Sequence, residues 1–157
     1  MLEDATKAAP HDVWAVARPI IYAADGIGHV HYALHGWYIV LFAVDDVLRA
    51  AREYGMGGFA LTAWLCPMSA DSLPPLARAL LEQSGGADRQ HTGEMLRRAL
   101  FFDEQPPYVE WYERKQRSVE QWIDDPSLPI SEWARDVQQE LTHKIALARR
   151  REEERRA

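Results

Sequence analysis

Three histidines, His29, His31 and His35, lie within a stretch of seven residues and are the strongest candidates for chemistry in this chain. Imidazole is the commonest nitrogen ligand of zinc, and two histidines four residues apart on a helix can bind the same ion. The zinc patterns H-x-H-x-D-H and H-E-x-x-H do not occur here. We therefore expect no metal and no other cofactor, and we assign His31, His35 and Tyr38 to a polar, partner-binding groove. A small metal-dependent hydrolase that uses the three histidines is the alternative.

Other residues that could support catalysis lack the required context. Paired carboxylates occur at Asp45-Asp46 and Asp124-Asp125, but neighbouring residues on a helix point about 100° apart. We expect Asp45 to pair with Arg49 at i+4, and Asp124-Asp125 to end a helix. Cys66 has no neighbouring base or cation, which favours a buried and inert thiol. The glycines of residues 55–58 do not precede a Lys-Ser/Thr pair, so they indicate a turn. The sequence thus predicts that the protein is not an enzyme.

Length and charge exclude several classes of protein. The chain has 157 residues, too few for a (β/α)₈ barrel, which needs about 250. Its net charge is −6, the wrong sign for a protein that coats nucleic acid or an anionic membrane. Residues 1–12 resemble no signal peptide, the longest apolar run is too short to span a bilayer, and a single cysteine needs no oxidising compartment. We expect a cytoplasmic protein.

A basic segment near the C-terminus is the exception to this acidic charge. Arg149, Arg150 and Arg151 could contact phosphates, which makes a nucleic-acid-binding accessory protein a further alternative. Glu152, Glu153 and Glu154 follow directly and neutralise the patch. We therefore expect a solvated, charged helical tail over residues 149–157 and a protein partner rather than a nucleic acid.

The elements that must position these residues are predicted to be helices throughout, because apolar residues recur at intervals of three and four. We expect a first helix from about His11 to Ala24 that is kinked at Pro19, and a long central helix from about His29 to Tyr54. A short helix follows at Phe59–Leu65. Asp71 and Ser72 are the expected caps of the next helix, which carries Leu76, Ala77, Leu80 and Leu81 and ends before Gly85-Gly86.

The C-terminal part contains the clearest periodicity. We expect one helix around Met95–Leu100 and an aromatic helix over Tyr108–Asp124. The last helix is capped by Ser127 or Ser131. Its apolar stripe steps by three and four residues: Ile130, Ala134, Val137, Leu141, Ile145 and Ala148.

Tryptophans and tyrosines in this part allow two interpretations. Trp111 and Trp122 lie eleven residues apart and therefore on one side of the same helix, with Trp133 on the next. We expect them to fill the interface between the two helices. Aromatic residues also anchor protein partners, so Tyr108, Trp111 and Trp133 are the candidate partner-binding residues wherever they are exposed.

The segment from Trp122 to Leu141, with Asp125-Pro126 followed by Ile130 and Ala134, resembles the turn and second helix of a HEAT repeat. HEAT repeats often have Val-Arg at the turn exit, whereas this chain has Ile130-Ser131, so the Arg ladder is absent or replaced by Arg135. A wider stretch from Leu73 to Glu154 resembles the C-terminal helical segment of large bacterial HEAT-like proteins, some of which belong to signalling and phage-defence NTPases. The resemblance implies recognition or scaffolding and brings no catalytic residues.

Together these observations predict an all-α fold of six to seven helices, arranged as antiparallel helical hairpins stacked into a short HEAT-like repeat domain. The expected single domain covers residues 1–148, with N-terminal helices of unrecognised type over residues 1–60 and HEAT-like hairpins over residues 70–148. The expected function is that of a non-catalytic adaptor subunit of a bacterial cytoplasmic complex, in anti-phage defence or immunity. The sequence leaves the partner and the oligomeric state open.

Overall fold

The computed structural model describes residues 2–22, 39, 42–55, 57–68, 72–102 and 104–157. Within these ranges every regular element longer than a single turn is an α-helix, which confirms the all-α prediction. The chain forms two compact units, one of Met1–Met68 with Pro74–Ala99 and one of Ser69–Leu73 with Leu100–Ala157. The helices are α1 (Leu2–Ala8), α2 (Pro10–Ile21), α3 (Val44–Tyr54), α4 (Gly58–Leu65), α5 (Pro75–Gln83), α6 (Gly86–Phe101), α7 (Tyr108–Ile123) and α8 (Leu128–Arg156).

In the first unit, α2 corresponds to the predicted first helix with different ends. It begins at Pro10, where the fixed φ and missing N–H of proline suit the first helical position. It continues through Pro19 and ends at Ile21 rather than Ala24. Sequence reasoning missed α1, a seven-residue helix with too few residues to show a period.

The predicted helix from His29 to Tyr54 is wrong at Ile39, Phe42 and Ala43, none of which is α-helical. Ala43 has an extended backbone (φ −61°, ψ 132°), and α3 begins only at Val44. The Phe42 ring packs against Trp14 of α2, with the ring centroids 4.7 Å apart. In the sequence, apolar residues keep their helical spacing through Ala43. The hydrophobic periodicity therefore gave no sign that α3 begins only at Val44. The part of that prediction from His29 to Tyr38, with Val40 and Leu41, lies outside the described residues.

Polar residues at the start of α3 pair differently from the prediction. Arg49 Nη1 lies 3.5 Å from Asp46 Oδ1, at i−3, and not beside Asp45 at i−4. Asp45 is exposed, whereas Asp46 also lies 3.7 Å from His11 Nδ1. Of the two carboxylates, Asp46 therefore takes part in a surface ion-pair arrangement with Arg49 and His11.

A glycine turn joins α3 to α4 and brings the two helices close together. Gly55 and Gly57 have φ of +85° and +87°, values that residues with a side chain rarely adopt. A Cβ atom on Gly58 would lie 2.0 Å from the carbonyl oxygen of Ala51. As predicted, the glycines of residues 55–58 end a helix and form a turn.

Buried hydrogen bonds fix α4 against α2. Thr62 donates its hydroxyl proton to the Gly58 carbonyl over 2.7 Å, so the Tyr22 hydroxyl, 2.8 Å away, donates to Thr62. Burial is the main cause that raises the pKa of Tyr22, against a smaller lowering by the hydrogen bond to Thr62. This arrangement satisfies a buried hydroxyl on each helix.

Helix α5 confirms the predicted apolar stripe but not its caps. Its N-cap residue is Pro74, and no side chain caps the helix, so Ser72 is not the cap. Asp71 lies outside the described residues. As predicted, α5 ends before Gly85-Gly86, at Gln83, and Gly86 is the first residue of α6. The buried residues of α5 are Leu76, Ala77, Leu80 and Leu81.

The second unit is built on α7 and α8, which run antiparallel. Trp122 and Trp133 stack near the connecting turn, with ring centroids 6.0 Å apart and planes inclined at 26°. Farther from the turn, Gln116 Nε2 donates to Thr142 Oγ1 over 3.0 Å. The predicted stripe of α8 is buried at Ile130, Ala134, Val137, Leu141 and Ile145, and Ala148 is half-buried.

The turn between α7 and α8 is closed by polar contacts. Asp125 Oδ1 accepts a hydrogen bond from the Ser127 N–H over 2.9 Å, which confirms the predicted turn role of this aspartate. Arg135 Nη2 donates to the Ile123 carbonyl over 3.2 Å, at the C-terminal end of α7. Ser127 is the N-cap residue of α8, although its side chain makes no capping hydrogen bond.

Candidate interaction site

A cleft of about 480 Å³ runs along the N-terminal half of α7 in the second unit. We call it the α7 cleft. Its residues are Gln105, Pro106, Pro107, Glu110, Trp111, Glu113, Arg114 and Arg117. The residues of α7 in this set recur at intervals of one, two and three positions, so the cleft follows one side of the helix. It combines charged groups with the flat surfaces of two prolines and one indole.

The charged groups of the α7 cleft are unevenly paired. Glu113 Oε1 accepts a hydrogen bond from Arg149 Nη2 of α8 over 2.6 Å. Among the residues that the structure describes, Glu110, Arg114 and Arg117 have no ion pair within 4.0 Å, and all three are exposed. The two guanidinium groups are therefore available to an anionic ligand.

Trp111 forms the floor of the α7 cleft and is only 4% exposed. Its ring lies 5.8 Å from the Phe101 ring and 4.9 Å from Lys115 Nζ. Its Nε1 is buried and has no hydrogen-bond partner in the described part of the chain. Aromatic and cation-π contacts therefore hold the indole in place at the floor of the cleft.

Lys115 is a feature that sequence reasoning missed. It is 2% exposed on the inner face of α7, although lysine is almost never fully buried without a partner. The helical spacing from Trp111 and Trp122 places residue 115 on the buried side, and this was the signal that could have identified it. Its cation-π contact with Trp111 shows how the charge is accommodated.

A second polar cluster lies beside the N-terminal end of α7, near Tyr108. The Tyr112 hydroxyl donates a short hydrogen bond to Glu104. Lys144 Nζ lies 3.9 Å from Glu104 and 5.0 Å from the centroid of the Phe101 ring. Burial raises the pKa of Tyr112, and the hydrogen bond and negative charge of Glu104 raise it further. Through these contacts the segment before α7 is attached to α8.

Of the three predicted aromatic partner-binding residues that the structure describes, Tyr108, Trp111 and Trp133, only Tyr108 is substantially exposed. Its ring is 40% exposed and stacks on Tyr112 at a centroid distance of 6.4 Å. Trp111 and Trp133 are 4% and 7% exposed. The stacking of Trp133 on Trp122 confirms the expected packing between α7 and α8 for that pair. The Trp111 ring instead contacts Phe101, the last residue of α6, and Tyr112 on its own helix. The other predicted partner-binding residues, His31, His35 and Tyr38, lie outside the described residues.

The metal-site alternative cannot be placed on this structure, because His29, His31 and His35 also lie outside the described residues. In the part of the chain that the structure does describe, no three His, Cys, Asp or Glu side chains are grouped as metal ligands would be. The hydrolase alternative stays a prediction.

The predicted nucleic-acid contacts, Arg149, Arg150 and Arg151, continue α8 as exposed residues. Arg149 is engaged with Glu113 on α7, and Arg151 is near enough to Tyr112 of α7 that its charge acts to lower the pKa of that tyrosine, whereas Arg150 is simply exposed. The tail is helical through Arg156. One of the three arginines is thus already neutralised by an internal ion pair.

Cys66 is buried and forms no disulfide, as predicted. Burial raises the pKa of its thiol to about 12, although a hydrogen bond with the Ala77 backbone acts in the opposite direction. A thiol with this pKa is protonated at neutral pH and is a poor nucleophile.

No family model matches the sequence, and no curated protein or solved structure matches it. The resemblance of residues 73–154 to HEAT-like segments therefore stays a prediction. None of the helices in the described ranges is long and apolar enough to cross a membrane.

Proposed function

We propose that this protein is a non-catalytic adaptor that binds another protein through the surface around Tyr108 in its second unit. The HEAT-like resemblance implies that the partner belongs to a bacterial cytoplasmic complex, with anti-phage defence or immunity as the process. The proposal depends on the exposure of apolar side chains at one place on this unit.

The observation that carries the proposal is a set of exposed apolar residues in the connection from α6 to α7 and at the start of α7. Phe102 is 66% exposed and Tyr108 is 40% exposed, and Pro106 and Pro107, between them in the chain, are exposed as well. Exposed large apolar side chains that cluster are typical of sites that bind proteins. Tyrosine in particular is enriched at the centres of interfaces.

The support beneath Tyr108 suits a binding surface. Tyr108 stacks on Tyr112, whose hydroxyl is bonded to Glu104, and Lys144 lies 5.5 Å from the Tyr112 ring. A side chain held in this way loses little conformational entropy when a partner covers it. The surface is therefore preorganised for binding.

The proposal is tested by affinity capture with the full-length chain from nuclease-treated lysate of its source organism. We expect one stoichiometric protein partner, and we expect Tyr108→Ala to reduce its recovery at least about tenfold, since interface tyrosines often contribute more than 1.4 kcal/mol. Leu128→Ala is the matched control, because Leu128 is 62% exposed at the start of α8. We expect this control to capture the partner as the unmodified chain does.

Two results would contradict the proposal. Recovery of the same partner by Tyr108→Ala would show that the surface lies elsewhere. Capture of no partner, with one equivalent of zinc in the same sample, would favour the hydrolase alternative at His29, His31 and His35.

A further inference from the structure

The α7 cleft contains two guanidinium groups without a counter-ion. Arg114 and Arg117 are exposed and unpaired in the described part of the chain, whereas Glu113, which directly precedes Arg114, is paired with Arg149. Arg149 thereby removes the negative charge that would otherwise compete for both arginines. The result is a local positive site on a chain whose net charge is −6.

We propose that the α7 cleft binds a short, extended segment of the partner protein that carries an aspartate or glutamate side chain, with Arg114 and Arg117 pairing with its carboxylate. This inference rests on the proposed function, since the segment belongs to the protein partner. Arginine suits the role because its planar guanidinium group donates two parallel hydrogen bonds to a carboxylate.

The dimensions of the cleft fit a peptide rather than a flat protein surface. Glu110 and Arg117 are seven residues apart, so at 1.5 Å per residue they lie about 10.5 Å apart along the helix axis. An extended peptide rises about 3.3 Å per residue, so about three residues span this distance. The exposed rings of Pro106 and Pro107 provide apolar contact at one end of the cleft.

Glu110 determines in which direction the partner's peptide lies in the α7 cleft and which residues the peptide carries at that end. It is exposed and unpaired, and it lines the cleft near Pro107. A second carboxylate at this end would be repelled, whereas a backbone N–H or a lysine side chain would be attracted. We therefore expect a single acidic residue opposite Arg114 and Arg117, two or three positions from a hydrogen-bond donor opposite Glu110.

The net negative charge of the chain opposes an acidic peptide only at long range. At physiological ionic strength, charges separated by more than about 8 Å are largely screened. At hydrogen-bond distance, the attraction of the peptide carboxylate to Arg114 and Arg117 therefore outweighs the repulsion from the net charge of the chain. For the same reason we expect the acidic peptide to associate slowly, because the net charge of the chain does not attract the peptide from a distance.

The test is a selection of random hexapeptides on the immobilised full-length chain, with and without Arg114→Gln/Arg117→Gln. We expect the selected peptides to be enriched in Asp and Glu, and we expect the double substitution to weaken their binding at least about tenfold. Arg150→Gln/Arg155→Gln is the matched control, since it makes the same change of charge on two exposed arginines of the α8 tail. We expect this control to bind as the unmodified chain does.

A second variant separates geometry from charge. Arg114→Lys/Arg117→Lys keeps both positive charges but cannot form bidentate bonds to a carboxylate. We expect it to bind selected peptides more weakly than the unmodified chain and more tightly than Arg114→Gln/Arg117→Gln. Circular dichroism at 222 nm establishes that each variant is folded.

Three results would overturn the inference. The selected peptides could lack acidic residues, or they could bind Arg114→Gln/Arg117→Gln as well as the unmodified chain. Alternatively, a pool of random single-stranded RNA could bind in a manner that depends on Arg114 and Arg117 while the peptides do not. If the natural partner is captured through Tyr108 but is retained by Arg114→Gln/Arg117→Gln, this inference fails and the proposed function stands.

Discussion

Arg149 of α8 donates from Nη2 to Glu113 Oε1 of α7 over 2.6 Å, across the antiparallel pair and far from its turn. Arg149 is the first residue of the tail that was predicted to be solvated and charged. It is attached to α7 by charge rather than by apolar contact. The same ion pair neutralises Glu113 inside the α7 cleft, so one contact both holds the start of the tail and sets the charge of the candidate site.

This ion pair should contribute modestly to stability. The side chains of Arg149 and Glu113 are 60% and 33% exposed, and ion pairs at such exposure typically contribute about 0.2–1 kcal/mol. We expect a double-mutant cycle of Arg149→Ala and Glu113→Ala, measured by urea unfolding, to give a coupling free energy in this range, and smaller at 1 M salt. A coupling that is unchanged by salt would show that the pair is not electrostatic in origin.

Gly58 should tolerate no side chain. A Cβ atom there would lie 2.0 Å from the Ala51 carbonyl oxygen, which is part of the α3 backbone and cannot rotate away. We expect Gly58→Ala to lower the free energy of unfolding by about 3 kcal/mol, the upper range for overpacking.

Gly85 is the matched control for this substitution, because nothing lies within 4 Å of its would-be Cβ atom and its φ is not positive. Gly85→Ala should leave stability unchanged or raise it by up to about 1 kcal/mol, since alanine restricts the unfolded chain. Equal effects of the two substitutions in thermal unfolding would refute the close approach of α3 and α4.

The stacked pair of Trp122 and Trp133 should be among the most stabilising contacts of the second unit. Both side chains are more than nine-tenths buried. We expect Trp122→Ala to cost about 3–5 kcal/mol, as for other buried aromatic residues, measured by denaturant unfolding. Gln121→Ala, at an exposed neighbouring position, should change stability by less than about 0.5 kcal/mol.

The Cys66 thiol should be unreactive in the folded protein. It is 1% exposed, and burial raises its pKa to about 12. We expect a thiol reagent such as DTNB to label it at pH 8 at least about a hundredfold more slowly than in 6 M guanidinium chloride, since labelling requires opening of the core. Rapid labelling of the folded chain would contradict the described burial.

The same thiol should make the protein less stable at alkaline pH. The ordinary pKa of 9.0 applies in the unfolded chain and about 12 in the folded one, so between these values only the unfolded state loses the proton. The stabilisation is complete below pH 9 and is lost as pH rises toward 12, by about 2 kcal/mol at pH 10.5. We expect Cys66→Ala to lose less stability than the unmodified chain between pH 8 and pH 10.5 in urea unfolding.

The sequence predicted the second unit well, because its determinants are local. Asp125-Pro126 marks a turn, and Ile130 to Ile145 repeat at intervals that only one face of a helix can produce. The burial of the tryptophans followed from the eleven-residue spacing of Trp111 and Trp122. These features depend on residues within a few turns of each other, so they can be read without knowing the rest of the fold.

Contacts between distant parts of the chain were decided by the tertiary structure alone. The break at Ala43 interrupts a continuous apolar pattern beside a ring contact between Trp14 and Phe42, 28 positions apart. The α7 cleft depends on Arg149 reaching Glu113 across 36 positions, and on a buried Lys115 beneath Trp111. Spacing indicates which residues share a helix face, but only packing determines which charges meet a partner and which stay available to a ligand.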